Sequence, residues 1–333
     1  MRTNIRVGPA GWSYQDWKGI VYPRLRPKGF HEAAYLAQYF PLIEINTSFY
    51  RPIRPELARV WTAKVEPYPA FQFTAKLYRG FTHERKLLRE DIRQFNAGLA
   101  PLADAGRLGC LLMQFPWSFR FNRENRDYLI ELKRAFGHHS LVAEFRHASW
   151  NCDPGLDILI DHQIGFCNID QPQLPQCLPP TAHATSPIGY VRLHGRNYQQ
   201  WFDFAGGHTG ARAGEPGQAV RAVDARYNYL YSRKQLGRWK TRIDKLASHT
   251  RTTYVVANNH FQGKAIVNAL QLIEMISEEP VDVPASLLSH YPELHPVAGK
   301  RPLQTTLFMP PPPPPRREQR VAAAEGGGPM LIQ

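Results

Sequence analysis

Two hydrophobic periods alternate along this chain. Short runs of apolar, β-branched and aromatic residues recur eight times, at Ile5–Gly8, Leu42–Ser48, Phe71–Leu77, Gly109–Phe115, Leu141–Arg146, Gly165–Asp170, Gly189–His194 and Thr252–Asn258. Runs of that length and composition predict strands. Most of the intervening segments space their apolar residues three and four apart and predict helices. They read HEAAYLAQYF, ELARVWTAKV, EDIRQFNAGLAPLAD, ENRDYLIELKRAF, GLDILIDHQ and SRKQLGRWKTRIDKLAS, with GKAIVNALQLIEMIS after the eighth run. Strand then helix, eight times, predicts an α/β fold: a single TIM-type (β/α)8 barrel over residues 1–280. An open doubly wound sheet is the alternative; strand number and length favour the closed barrel.

Two stretches interrupt the rhythm. Gly195–Arg226 contains GGHTGARAGEPG and follows the seventh strand, where a barrel loop overhangs the ligand face. It reads as a lid or as an insertion without a role. Residues 281–333 include MPPPPPPRREQR and AAAEGGG. Such segments cannot build a core, so this region is expected to be an extended or disordered tail.

Polar residues gather where each predicted strand ends. With a side-chain period of two, Glu44 and Asn46 share a face, as do Glu144 and Arg146, Arg192 and His194, and Asn168 and Asp170. Lys76, Gln114 and Asn258 each sit late in their own strands. A barrel of these strands has an apolar lower interior and a charged C-terminal rim, where barrel enzymes carry their sites. Buried charges there must pair. One reading is a self-satisfied salt-bridge network. The other is a pocket in which Arg146, Arg192 and Lys76 hold an anion, Glu44 and Glu144 serve as acid and base, and His194 shuttles protons. Asn46, Gln114 and Asn258 would orient the ligand, with Asp170 beside them. On the pocket reading, removing Arg192 weakens anion binding without unfolding the chain.

Aromatic residues follow the same strands: Trp12, Tyr14 and Trp17 in GWSYQDWKG, then Phe49 and Tyr50, Phe81 with His83, Trp117 and Trp150. Rings around a basic mouth stack on bases or sugars, or they plug the barrel.

Charge extends the picture. The net charge is +13. From Lys300 onward there are five basic and two acidic residues, leaving +10 for the rest. An anionic partner, DNA or RNA among others, is the natural inference; a generally basic proteome would give the same balance. No run of eighteen apolar residues suggests a membrane span, and the N-terminus has no apolar signal region. The expected location is the cytoplasm. Cys110, Cys152, Cys167 and Cys177 form no C-x-x-C pair and read as free thiols.

The stretches GPAGWSYQDWKGIVYP, EINTSFYR, FTAKLYRGFTH, LLMQFPWSF, AEFRHASW, YVRLHGR, RYNYLYS and NNHFQGKAIVNAL resemble the YecE-like proteins, domain of unknown function family 72. They run in order over about four-fifths of the chain. The resemblance implies a TIM-type barrel, similar to endonuclease IV-like and sugar-phosphate isomerase-like barrels, without specifying a reaction. Its motifs fall on Glu44, Asn46, Tyr50, Lys76, His83, Gln114, Glu144, Arg146, Arg192, His194 and Asn258. The departure is GPAGW, where a serine or threonine is expected in place of Pro9 or Ala10. Endonuclease IV-like barrels hold several metals in crowds of His, Asp and Glu. Here lysine and arginine interleave with Glu44, Glu144, Asp170, His194 and His83, so no metal or other cofactor is expected; the carboxylates leave room for a single Mg²⁺.

In the tail, Gln304, Leu307 and Phe308 give Q-x-x-L-F, similar to the peptide by which bacterial repair proteins dock on the sliding clamp. These features favour a protein that binds a phosphate-bearing ligand at the barrel mouth, with nucleic acid processing foremost. The alternatives are a sugar-phosphate isomerase or lyase and a non-catalytic binding or adaptor protein.

Overall fold

A computed structural model describes residues 4–197 and 227–299. Its strands are β1 (Ile5–Pro9), β2 (Leu42–Ile45), β3 (Gln72–Lys76), β4 (Leu108–Gln114), β5 (Leu141–Glu144), β6 (Ile164–Asp170), β7 (Ile188–Leu193) and β8 (Thr252–Ala257). Every paired neighbour is parallel, in the order β1-β8-β7-β6-β5-β4-β3-β2. The two ends of that row, β1 and β2, must meet to make a barrel. They do so through one bridge, Ala10 with Glu44, where the Gly11 N–H donates to the Glu44 carbonyl at 2.8 Å. A Cβ on Gly8 would lie 1.9 Å from the Leu42 carbonyl oxygen, so any side chain there would force the seam apart. Toward the N-terminal ends of these strands, Ile5, Val7, Phe40, Tyr68 and Phe71 help line an apolar groove of about 430 Å³. The result is a nearly closed barrel.

All eight expected strands are present, shifted by no more than a few residues. Leu42–Ser48 ends sooner because Thr47–Phe49 turns into a 3-10 helix. Helices form at Glu32–Leu36, Pro55–Lys64, Arg89–Asp104, Arg123–Phe136, Asp153–Asp161, Arg233–Ala247 and Lys264–Ser277. Local chemistry sets their ends. Asn122 caps Arg123–Phe136 by accepting from the Asn125 N–H at 2.8 Å, with Lys133 and Arg134 in its last turn, where the helix dipole favours cations. Ser232 and Gln235 form a reciprocal capping box on Arg233–Ala247. Lys264–Ser277 is largely buried and packs against β1 and β8.

Three expectations are corrected. Residues 171–187, between β6 and β7, hold no helix. Pro172, Pro175, Pro179, Pro180 and Pro187 remove the N–H groups a helix needs. Instead, Asn168 ties the coil to the outside of the barrel. Its Oδ1 accepts from the His183 N–H at 2.8 Å and from Thr181 Oγ1 at 2.7 Å. The folded unit also does not stop at residue 280. Ala285–His290 is helical, Val281 bridges Ala298, and Leu287 and Leu294 are fully buried. Tyr291 donates to the Gln262 carbonyl at 2.7 Å, fastening this segment beside the β8 end of the barrel. The compact unit ends at Gly299. Finally, the lower interior is not simply apolar. Tyr254 donates to Gln72 Oε1 at 2.7 Å, and Tyr190 meets Thr74 at 2.8 Å. Among the described residues, no helix is long and apolar enough to cross a membrane.

Candidate functional site

The C-terminal ends of β2, β3, β5 and β7 converge on one charged cluster. Arg192, from β7, is fully buried and bridges two carboxylates. Its Nη2 lies 2.7 Å from Glu44 Oε1 and its Nη1 lies 2.6 Å from Glu144 Oε2. Tyr190, two residues earlier on the same face, donates to Glu44 Oε2 at 2.9 Å. Arg146 Nη2 takes Glu144 Oε1 at 2.6 Å, while its Nη1 donates to Gln171 at 3.3 Å. Each of the four carboxylate oxygens thus has an arginine or a tyrosine within 3 Å. Among the described residues, no group of three or more His, Cys, Asp or Glu could hold a metal ion.

His194 completes the network. Its Nδ1 faces Asn258 Nδ2 at 2.9 Å and its Nε2 lies 3.4 Å from Glu144 Oε1. With the Asn258 amide donating, Nδ1 accepts and the ring proton sits on Nε2. Burial, reinforced by Arg146, holds His194 well below its ordinary pKa, so it stands neutral. Burial alone would raise Glu144, but Arg146 and Arg192 hold it well below the usual carboxylate range. A carboxylate so stabilised does not donate protons at neutral pH. In that state Glu144 is unsuited to act as a general acid. Glu44 is held by Arg192 and Tyr190. Arg192 is fully buried and both of its terminal nitrogens are taken up by Glu44 and Glu144, rather than open at the rim.

Lys76 is different. It ends β3, with its backbone carbonyl fixed by Ser48 Oγ at 2.7 Å. It is half-buried, lies 5.7 Å above the Phe49 ring, and makes no salt bridge among the described residues. Burial, with Arg192 next in weight, lowers its pKa from 10.5 to about 8. The cluster thus sets three cations, Lys76, Arg146 and Arg192, against two carboxylates, Glu44 and Glu144. Lys76 is the surplus one.

Around it stand neutral polar groups. Asn46 follows β2 and Gln114 ends β4, the two strands flanking β3. Asn46 Oδ1 and Gln114 Oε1 are buried atoms without a hydrogen-bond partner. Tyr14 donates to the Ala10 carbonyl at 2.7 Å and stacks on His260 at 4.3 Å. Tyr50 is exposed at the rim. His83 is exposed against Phe49, and burial followed by Arg79 lowers its pKa to about 4.

Two expected members are elsewhere. Trp12 is a core residue, set edge-on against Trp61 at 5.0 Å. Asp170 faces outward with Asn168. Arg196 Nε lies 2.9 Å and 3.0 Å from its two oxygens, and Trp239 Nε1 donates at 3.0 Å from the helix Arg233–Ala247. Trp17 and Trp150 are also fully buried. Gln304, Leu307 and Phe308 lie outside the described residues, as does most of the loop read as a lid.

Sequence reasoning missed Tyr190 and His260. Tyr190 was legible from the period of two that selected Arg192 and His194. His260, with Nδ1 lacking a partner and Tyr14 and Tyr227 on its ring at 4.3 and 4.6 Å, lies beyond the strand, where period gives no signal.

Similar proteins share this framework. The family model described as "Protein of unknown function DUF72" matches residues 6–292. UPF0759 protein YunF of Bacillus subtilis is 28% identical over 291 residues, which is 83% of this chain and 95% of that protein. A DUF72 family protein of known structure from Thermotoga maritima is 31% identical, covering 82% of this chain and 99% of that one, with a TM-score of 0.66. Another from Enterococcus faecalis is 24% identical, covering 84% and 98%, with a TM-score of 0.67. With the match spanning nearly the whole described barrel, the chain belongs to the DUF72 family.

Proposed function

We propose that the barrel mouth binds a small ligand carrying a phosphate or another compact anionic group. One observation carries this reading: Lys76 is a cation at the mouth that makes no salt bridge among the described residues. A half-buried charge without a counter-ion is costly, and an anionic ligand supplies the missing partner. The unpaired oxygens of Asn46 and Gln114 suit the hydroxyl donors of such a ligand. The rings of Tyr14 and His260 offer it an apolar wall.

A small molecule fits better than a nucleic acid. Polymer binding needs several cations presented along an exposed surface. Arg192 and Arg146 are instead committed to carboxylates below the rim. This favours the sugar-phosphate class over nucleic acid processing. The test is titration of the full chain with inorganic phosphate, a triose phosphate and a single-stranded oligonucleotide at two salt concentrations. Binding of the phosphates with weak salt dependence, lost in Lys76→Met, supports the reading. Oligonucleotide binding with a steep salt slope, indifferent to Lys76→Met, overturns it.

A further inference from the structure

We propose that Lys76 is a nucleophile that forms an imine with the carbonyl group of a short aldehyde or ketone bearing the anionic group. This rests on the small-anion reading above and adds the chemistry done at that site.

The geometry favours attack at this position. Strand β3 and the Ser48 hydrogen bond to the Lys76 carbonyl fix the base of the side chain. Among the described residues, the ammonium carries no salt bridge that attack would have to break. Arg146 and Arg192 beside it are guanidinium groups that stay charged; only the lysine can become neutral. The Asn46 and Gln114 oxygens, at the ends of the strands either side of β3, have no hydrogen-bond partner among the described residues and can accept from the substrate's hydroxyls. A lysine desolvated and placed next to other cations is a recognised form of activated nucleophile. At pH 7, a pKa of about 8 rather than 10.5 gives about a 300-fold larger neutral fraction.

The step balances without a co-reactant. The Nζ lone pair attacks the carbonyl carbon, and the carbonyl π pair moves to oxygen, which is protonated to a carbinolamine. Nitrogen then expels that oxygen as water, forming the C=N bond. Amine and carbonyl become imine and water, with nothing oxidised or reduced. Protonated, the imine keeps the positive charge of Lys76, so the ligand's anionic group remains neutralised. Nearby negative charge on the ligand stabilises that cation and draws the equilibrium toward it.

The experiment is reductive trapping. The full chain is treated at pH 7 with glyceraldehyde 3-phosphate and cyanoborohydride, and adducts are mapped by peptide mass spectrometry. The exposed Lys18, Lys64 and Lys86 serve as internal references. Lys76 is expected to be modified at least about tenfold faster than these. Inorganic phosphate is expected to slow its labelling, and unphosphorylated glyceraldehyde to react there more slowly. Lys76→Arg, which keeps the charge but has no attacking amine, removes the adduct. Phosphate binding without preferential trapping at Lys76 overturns the imine proposal and leaves the anion site standing. Preferential trapping that phosphate does not slow upholds the nucleophile and overturns the anion site.

Discussion

Replacing Lys76 with methionine should make the protein more stable. The side chains are of similar length, so packing on Phe49 is kept, while the surplus charge is removed. Depression of the lysine from 10.5 to about 8 corresponds to a ceiling of about 3 kcal/mol, at ~1.4 kcal/mol for each tenfold. The pH dependence identifies the cause. Below pH 8, folded and unfolded chains both carry the proton, and the folded chain bears the full cost. Between pH 8 and 10.5 the unfolded chain holds a proton that the folded chain has shed, so wild-type stability climbs. Above 10.5 both are neutral and the cost is gone. Urea unfolding of wild type and Lys76→Met, followed by tryptophan fluorescence from pH 7 to 11, measures this directly. The variant should lead by up to about 3 kcal/mol at pH 7 and lose that lead by pH 10.5. A variant no more stable at pH 7, or a lead constant with pH, would refute the assignment of Lys76 as the uncompensated cation.

The remaining predictions concern the scaffold around it. Glu144→Gln and Arg192→Met should each cost about 3–5 kcal/mol, because each leaves buried charges without partners; denaturant midpoints check this, and near-neutral effects would dissolve the network. His260, lowered to about 4 mainly by burial, stays neutral as the unfolded chain protonates below pH 6.5. Stability should therefore fall as pH drops from 6.5 toward 4, and His260→Gln should flatten part of that slope in pH-dependent unfolding. Leu287→Ala should cost about 2–5 kcal/mol; a loss under 1 kcal/mol would mean that Ala285–His290 contributes little to the fold.

The barrel was legible because its strands announce themselves. Runs such as CLLM and YVVA are unbroken by charge or amide, as strands covered on both faces tend to be. The period of two then gathered Glu44, Arg192, Glu144 and His194 into one place. It could not say which face was inward. Asn168 and Asp170 obey the same period as Arg192 and His194, yet point to the outer layer, because Thr181, His183, Arg196 and Trp239 satisfy them there. Nor could it say how deep each charge lies. Arg192 and Lys76 look alike as cations near strand ends. Only the pairing shows one locked between two glutamates and the other left over. Trp12 was misread because its loop position hides Trp61, almost fifty residues away.

Glu44 has two attachments that are usually kept apart. Its backbone carbonyl receives the Gly11 N–H that joins β1 to β2, while its side chain anchors Arg192 and Tyr190. The ring of strands is thus zipped shut by the same residue that organises its interior charges. Loosening that residue's side chain should let the β1–β2 edge breathe, and stiffening it should lock the edge. The Gly11 amide becomes a built-in gauge: its hydrogen exchange should slow when a ligand binds at the mouth.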